Sequence, residues 1–372
     1  MRNLVLGLAR PMLRLLGRDD RGAYGVLIAV LVTGGVLLGI GALGVDVGQI
    51  YQNRAELQNG ADAGALGVAK SCALGTCNTA VAGTYALANA SALTGHQAAV
   101  TLVCGQSATG GLGSCNTGNS GAITDCPANP PAGVNYVDVH AATLTSGGTL
   151  LPPVFARTLI GAKNYNGTRV FACAQAEWGP AEQSNSLAIT LSYCDWLALT
   201  SGGNPFGTLI PVYLKGTKEK SCSGPAGQNE PGGFGWLTPT SSGVCTAVID
   251  LLTNTTYNDP GNNITAACKE ALQTNINSYN AGTPVVAYLP VFGSTGGSGN
   301  NGTYGIIGLA GFVVTGYKDL SGGGGQNNYG PANALCTAHD PCIEGYFLPG
   351  IDPVTSIGGG TNFGAIAVKL TG

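Results

Sequence analysis

The longest apolar stretch of the chain, Ala23 to Val45, carries no charged residue across 23 positions. As a helix it would rise about 34 Å, enough for a bilayer core of about 30 Å, so it predicts a transmembrane helix over 23–45. No turn residue ends it. Beyond Asp46 the positions Ile50, Arg54, Leu57, Ala61, Ala65 and Val68 recur every three or four residues, one face of a helix extended over 46–71. Gly60, Gly64 and Gly67 each weaken that helix by about 1 kcal/mol relative to alanine, so it needs a surface to hold it. A second small-residue helix is expected at 78–94, with Gly95 as its stop.

Alternation then replaces the helical period. Strands are expected at 98–104, 136–144 and 169–178, with a short helix at 154–160 behind Pro152–Pro153. Residues 72–180 thus read as an α+β region with helices against an antiparallel sheet. From 181 to 372, strand patterns alternate with Gly, Pro and Asn clusters: 187–196, 208–215, 284–293, 304–317, 344–348 and 364–370. One helix is expected there, at 263–278, starting around Thr265. The Gly-rich stretches 293–302 and 321–328 read as exposed flexible loops. The fold class is α+β, ending in a β-rich, disulfide-stapled region.

Charge gives the apolar run a direction. Five arginines against two aspartates precede it, and 11 basic against 16 acidic side chains follow Asp46. The positive-inside rule makes residues 1–22 a cytoplasmic tail and puts the chain from Val47 onward outside. An uncleaved anchor is favoured over a cleavable signal peptide, whose apolar core is only about 7 to 15 residues, although Ala42-Leu43-Gly44 would admit cleavage. Along the run and just past it, Gly35 and Gly39, then Gly44 and Gly48, have the four-residue spacing that lets two membrane helices approach closely. Asp46, Asn59 and Asp62 join them as helix-packing candidates, since buried polar groups demand partners.

Composition agrees with an outside location. Only 9% of residues are charged, against roughly 25% in an average soluble protein. All twelve cysteines (72, 77, 104, 115, 126, 173, 194, 222, 245, 268, 336 and 342) follow the apolar run, and their number is even. Disulfides in an oxidising compartment are expected; their pairing is not deducible from spacing. A net charge of −3 without a basic patch argues against nucleic acid.

The sequence offers no chemistry to match. It holds no G-x-S-x-G, H-E-x-x-H, P-loop or EF-hand pattern, and His96, His140 and His339 share no motif. Asp195 reads as an isolated acid, and His140 as a packed strand residue. Asp319-Leu320-Ser321 begins like a von Willebrand-type metal loop, but Gly323 replaces its second serine. No enzyme activity, metal or cofactor is expected.

Asp20 to Ser71 resembles the N-terminal signature of the Tad (tight adherence) Flp pilus-assembly proteins of the TadE/TadG-like group. Arg21-Gly22, Val45-Asp46-Val47-Gly48, Glu56-Leu57-Gln58-Asn59 and Ala61-Asp62-Ala63 carry the resemblance. FARTLIG, AQAEWGP, LAITLSYCDW, PGGFGWL, AYLPVFG, FVVTGY and PCIEGYF, in that order, are similar to actinobacterial TadG-like members. The resemblance implies a membrane-anchored structural or accessory component, minor-pilin-like, of a Tad/Flp-type pilus assembly or secretion system. Its partners would be the membrane and other pilus-assembly or pilin subunits, met through the N-terminal helix. Type IV prepilins carry Glu five residues after the cleavage-site Gly; after Gly22 that position is Leu27, so prepilin-type cleavage is not expected. The alternative is a surface adhesin or binding module without a pilus role, using Gly/Asn-rich loops around Tyr304 and Tyr317.

Overall fold

Two helices take up the apolar run and its continuation: α1 (Arg21–Thr33) and α2 (Val36–Ala73). The computed structural model describes the chain except residues 1–20, 34–35, 91–96, 116–125, 145–149, 152–167, 204–206, 215–220, 226, 254–255, 259–263, 298–300, 321–334, 337–340, 354–355 and 372. The helix expected at 154–160 and the loop at 321–328 lie outside the described residues. Among those described, no helix is long and apolar enough to cross a membrane. The expected span over 23–45 is therefore not shown as one helix. The described part of the run lies in α1, whose 13 residues rise about 20 Å, and in the opening turns of α2; residues 34–35 between them lie outside the described residues.

The helical continuation past Asp46 is present, and α2 reaches Ala73. Its buried stripe is Leu57, Ala61, Ala65 and Val68, each fully shielded, as the spacing requires. α3 (Val81–Asn89) is shorter than the 78–94 expected and packs against α2.

Both helices cover one face of a five-stranded sheet. β1 (Gln97–Gln106), β2 (Asn135–Leu144) and β3 (Phe171–Pro180) run antiparallel in that order. Alternation sends Val137, Val139 and Ala141 of β2, with Ala172, Ala174 and Ala176 of β3, into the core under α2. Val170 separates β3 from the two-residue strand Thr168–Arg169, so the expected strand 169–178 is interrupted.

The second half builds an eight-stranded mixed sheet. LAITLSYCDW was expected as one strand, but only β4 (Ile189–Ser192) is extended, and Tyr193–Thr200 forms helix α4. The reason is local: the Ser192 hydroxyl accepts from Cys194 N at 2.9 Å, and Asp195 falls in the first turn, where a negative charge is favoured. The main path then uses β5 (Ile210–Tyr213), β6 (Phe234–Trp236), β7 (Ala287–Gly296), β8 (Thr303–Lys318) and β9 (Cys342–Phe347), ordered β6-β4-β7-β8-β9-β5. Helix α5 (Ala266–Asn280) starts at an N-cap, Thr265, and buries Cys268, Leu272 and Ile276. Gln183–Leu187 pairs with Thr246–Asp250 in a ribbon that the polar sequence QSNSL concealed. β7 extends to Gly296, into the stretch expected as a loop.

The last strand, β10 (Ala365–Leu370), returns to the first sheet beside β3. Its alternation links the two cores: Ile366 belongs to the helix-covered core, Ala365 and Ala367 to the core of the second sheet.

All twelve cysteines pair, as 72–77, 104–115, 126–173, 194–222, 245–268 and 336–342. Every bridge joins a cysteine to the next one in the sequence.

Candidate functional site

α1 and the first turns of α2 form an apolar stem. Tyr24, Leu27, Val30, Ile40, Leu43 and Tyr51 are all more than half exposed, with Tyr51 reaching 70%. With Val26, Ile28 and Val32 also exposed, apolar side chains surround α1, so no single stripe of it is turned inward. A helix apolar all round normally ends in a bilayer or among other helices. A Cβ added at Gly22, Gly25, Gly41, Gly44 or Gly48 would meet nothing within 4 Å. Among the described residues, those glycines therefore have no packing partner within this chain. Gly35 lies outside the described residues, as do the surroundings of Gly39.

At the foot of the stem two polar side chains are buried. Asp46 is 7% exposed in an otherwise exposed stretch, and Asn53 is 4% exposed. Asn53 Nδ2 donates to the Gln49 carbonyl at 2.7 Å, and its Oδ1 accepts nothing.

Next comes the seat of the stem on the head. A Cβ at position 60 would stand 2.9 Å from Ala86 O, and one at 64 would stand 3.2 Å from Ala82 O. One at 67 would enter the Tyr85 ring. These three glycines let α3 lie directly on α2. Their spacing of four and three was legible in the sequence, where it read only as helix weakening. Gln58 locks the same segment to the sheet: its Nε2 donates to Cys173 O at 2.9 Å and to Asp62 Oδ1 at 2.8 Å. Asp62 thus has a partner within the chain, whereas Asn59 is exposed. Of the seven packing candidates, Asp62 bonds Gln58 on its own helix, and Gly44 and Gly48 meet nothing among the described residues.

Away from the helices, the other face of the first sheet holds a buried polar row. Cys104, Asp138 and Gln175 are neighbours in register across β1, β2 and β3. Asp138 is fully shielded; Gln175 Nε2 donates to its Oδ1 at 2.9 Å, and its Oδ2 has no partner. Burial raises its carboxyl to about 6, against which the Gln175 bond acts only in part. Thr371 Oγ1 donates to Gln175 Oε1 at 2.9 Å and ties the C-terminal end to this row. Nothing in the sequence marked Asp138 beyond its place in an alternating strand.

Two groups bring ligand-type atoms within 4.8 Å of one another: Cys126, His140 and Cys173, and Cys104, Cys115 and Asp138. In each the two sulfurs are joined as a disulfide, so neither is a thiolate, the form that binds metal. His140 is packed on its strand with Nε2 3.5 Å from Cys126 Sγ; His96 and His339 lie outside the described residues. Asp195 accepts from the Gly233 amide. A shallow cleft on the second sheet is lined by Thr256, Ser294, Ile306, Ile307, Gly360 and Thr361, none of which titrates in the physiological range. Tyr304 and Tyr317, the ends of the expected strand 304–317, are residues of β8 and are buried in the second core, so neither ring is offered to a ligand by the loops around them. The Tyr304 hydroxyl packs where a Cβ at position 235 would stand, which requires Gly235.

Residues 25–71, the stem and nearly all of its seat, match the family model described as Tad, putative Flp pilus-assembly TadE/G-like. Residues 72–372 lie outside that match. No curated protein and no solved structure matches the chain.

Proposed function

From an N-terminal helix that is TadE/G-like over residues 25–71, we propose a membrane-anchored structural or accessory component, minor-pilin-like, of a Tad/Flp-type pilus assembly or secretion system. One observation carries the reading. The stem is apolar on all sides, and the head leaves it uncovered. Residues 23–45 insert in the bilayer as a single span, although the two described helices within it are singly too short or too polar. The arginine-rich tail stays in the cytoplasm and the disulfide-stapled head lies outside.

The head acts as a rigid body presented by this anchor, and no reaction is assigned to it. Gly44 and Gly48, where an added Cβ meets nothing among the described residues, offer a face for helices of other assembly subunits.

The test is a photo-crosslinker placed at Ile40, Leu43 or Tyr51 in cells expressing the full pilus apparatus. The reading expects adducts with pilin or assembly subunits and retention of the protein in the membrane after high-salt washing. A salt-extractable protein with no adduct to any pilus component would sink it. Gly44→Leu and Gly48→Leu should lower the adduct yield while the head keeps its thermal unfolding midpoint.

A further inference from the structure

The bridges follow one rule: each of the six joins consecutive cysteines, with none nested and none crossing. Twelve cysteines can pair in about ten thousand ways, and only one is consecutive throughout. The rule holds at separations from 5 residues, at Cys72–Cys77, to 47, at Cys126–Cys173, so short loops alone do not produce it.

The pairing also respects the fold. Cys72–Cys77 closes the end of α2, while Cys104–Cys115 and Cys126–Cys173 anchor to the first sheet. Cys194–Cys222, Cys245–Cys268 and Cys336–Cys342 stay in the second half. Each pair has at least one buried cysteine: Cys72, Cys104, Cys126, Cys194, Cys245 and Cys336. A mispaired sulfur buried in this way would be hard to reach afterwards, because exchange needs an attacking thiolate with access.

We infer that the head is the substrate of an envelope thiol oxidase acting as the chain beyond the anchor emerges from Val47 toward the C-terminus, and that its native bridges need no disulfide isomerase. This rests on the reading that the chain beyond Asp46 is exported. When the second cysteine of a pair emerges, the only reduced cysteine already outside is its native partner. One thiolate attacks the oxidase disulfide and forms a mixed disulfide. The second thiolate then attacks the protein sulfur and releases the oxidase as a dithiol. Per bridge, two thiols lose two protons and two electrons, and both electrons leave on the oxidase. By the time the next pair emerges, no earlier thiol remains free to compete.

The experiment expresses the full chain in bacterial hosts whose envelope has both enzymes, lacks the isomerase, or lacks the oxidase. Bridges are read by non-reducing peptide mapping. The expected map is the six consecutive pairs, with the yield within about twofold on loss of the isomerase and lowered about tenfold or more on loss of the oxidase. Cys173→Ser supplies the contrast. Cys126 then meets Cys194 as its next thiol, which should bring on isomerase dependence that the unaltered chain lacks. A non-consecutive bridge in the unaltered chain, or an isomerase dependence equal to that of Cys173→Ser, would overturn the proposal. A cytosolic product with reduced thiols would overturn the export reading and this proposal together; an exported product with scrambled bridges overturns this proposal alone.

Discussion

Asp138 should make this protein more stable in mild acid than at neutral pH. Its carboxyl is fully shielded, with one oxygen bonded to Gln175 and the other bonded to nothing. Burial raises it from 3.8 to about 6. The folded state therefore holds a proton between about pH 4 and 6 that the unfolded chain has released. The stabilisation is fully present below the unfolded value and is lost as pH rises through the folded one. A shift of about two units corresponds to about 3 kcal/mol across that window. Asp250, which bonding to Thr253 holds below its usual value, works in the opposite direction, but below about pH 4, so the window is clear of it. Asp138→Asn keeps the acceptor for Gln175 and removes the charge. It also leaves a buried amide N–H without a partner, at a cost of about 1–3 kcal/mol. Its absolute stability at pH 7.5 should thus lie near that of the unaltered protein or slightly above. The decisive quantity is the slope. Urea unfolding of the oxidised protein between pH 4 and 7.5 should give a midpoint that falls with pH for the unaltered chain and stays flat for Asp138→Asn. A midpoint that rises from pH 4 to 6, or the same slope in both proteins, would refute the reasoning.

Three further outcomes follow from the packing and the bridges. Gly60→Leu should destabilise the head by about 1–3 kcal/mol in denaturant unfolding, because its side chain must displace the Ala86 backbone, whereas Gly48→Ala meets nothing and should leave the head unchanged. Replacing both Cys126 and Cys173 by alanine should cost about 4 kcal/mol, against about 2 for Cys72 and Cys77, as expected from loops of 47 and 5 residues; calorimetry on the two double variants checks the order. Thr265→Ala removes the hydroxyl that accepts from Cys268 N at 3.2 Å, and should lower stability by about 1 kcal/mol without altering the disulfide map.

Periodicity and cysteine placement carried much of the fold. The four-three spacing along α2, the alternation of β2 and β8, and the Thr265 start of α5 are local signals, and each appears in the structure where the residues put it. The TadE/G-like segment was legible for the same reason, as one continuous stretch of chain. What the sequence left open depends on residues far apart. Alternation could not separate β4 from α4, because a serine cap decides that boundary. Nor could it show that β10 would leave the second sheet's neighbourhood in sequence to finish the first sheet beside β3, since register forms between strands nearly 200 residues apart. Gly60, Gly64 and Gly67 looked like defects until α3 was laid on them, and Asp138 looked ordinary until the fold excluded water from it. The sequence by itself determined α2, α3 and α5, most strands, the even set of cysteines and the apolar stem, because each is written in near neighbours. Only the tertiary structure decided which cysteine meets which, which glycines are used within the chain, and which carboxyl loses its solvent, because those depend on burial by distant segments.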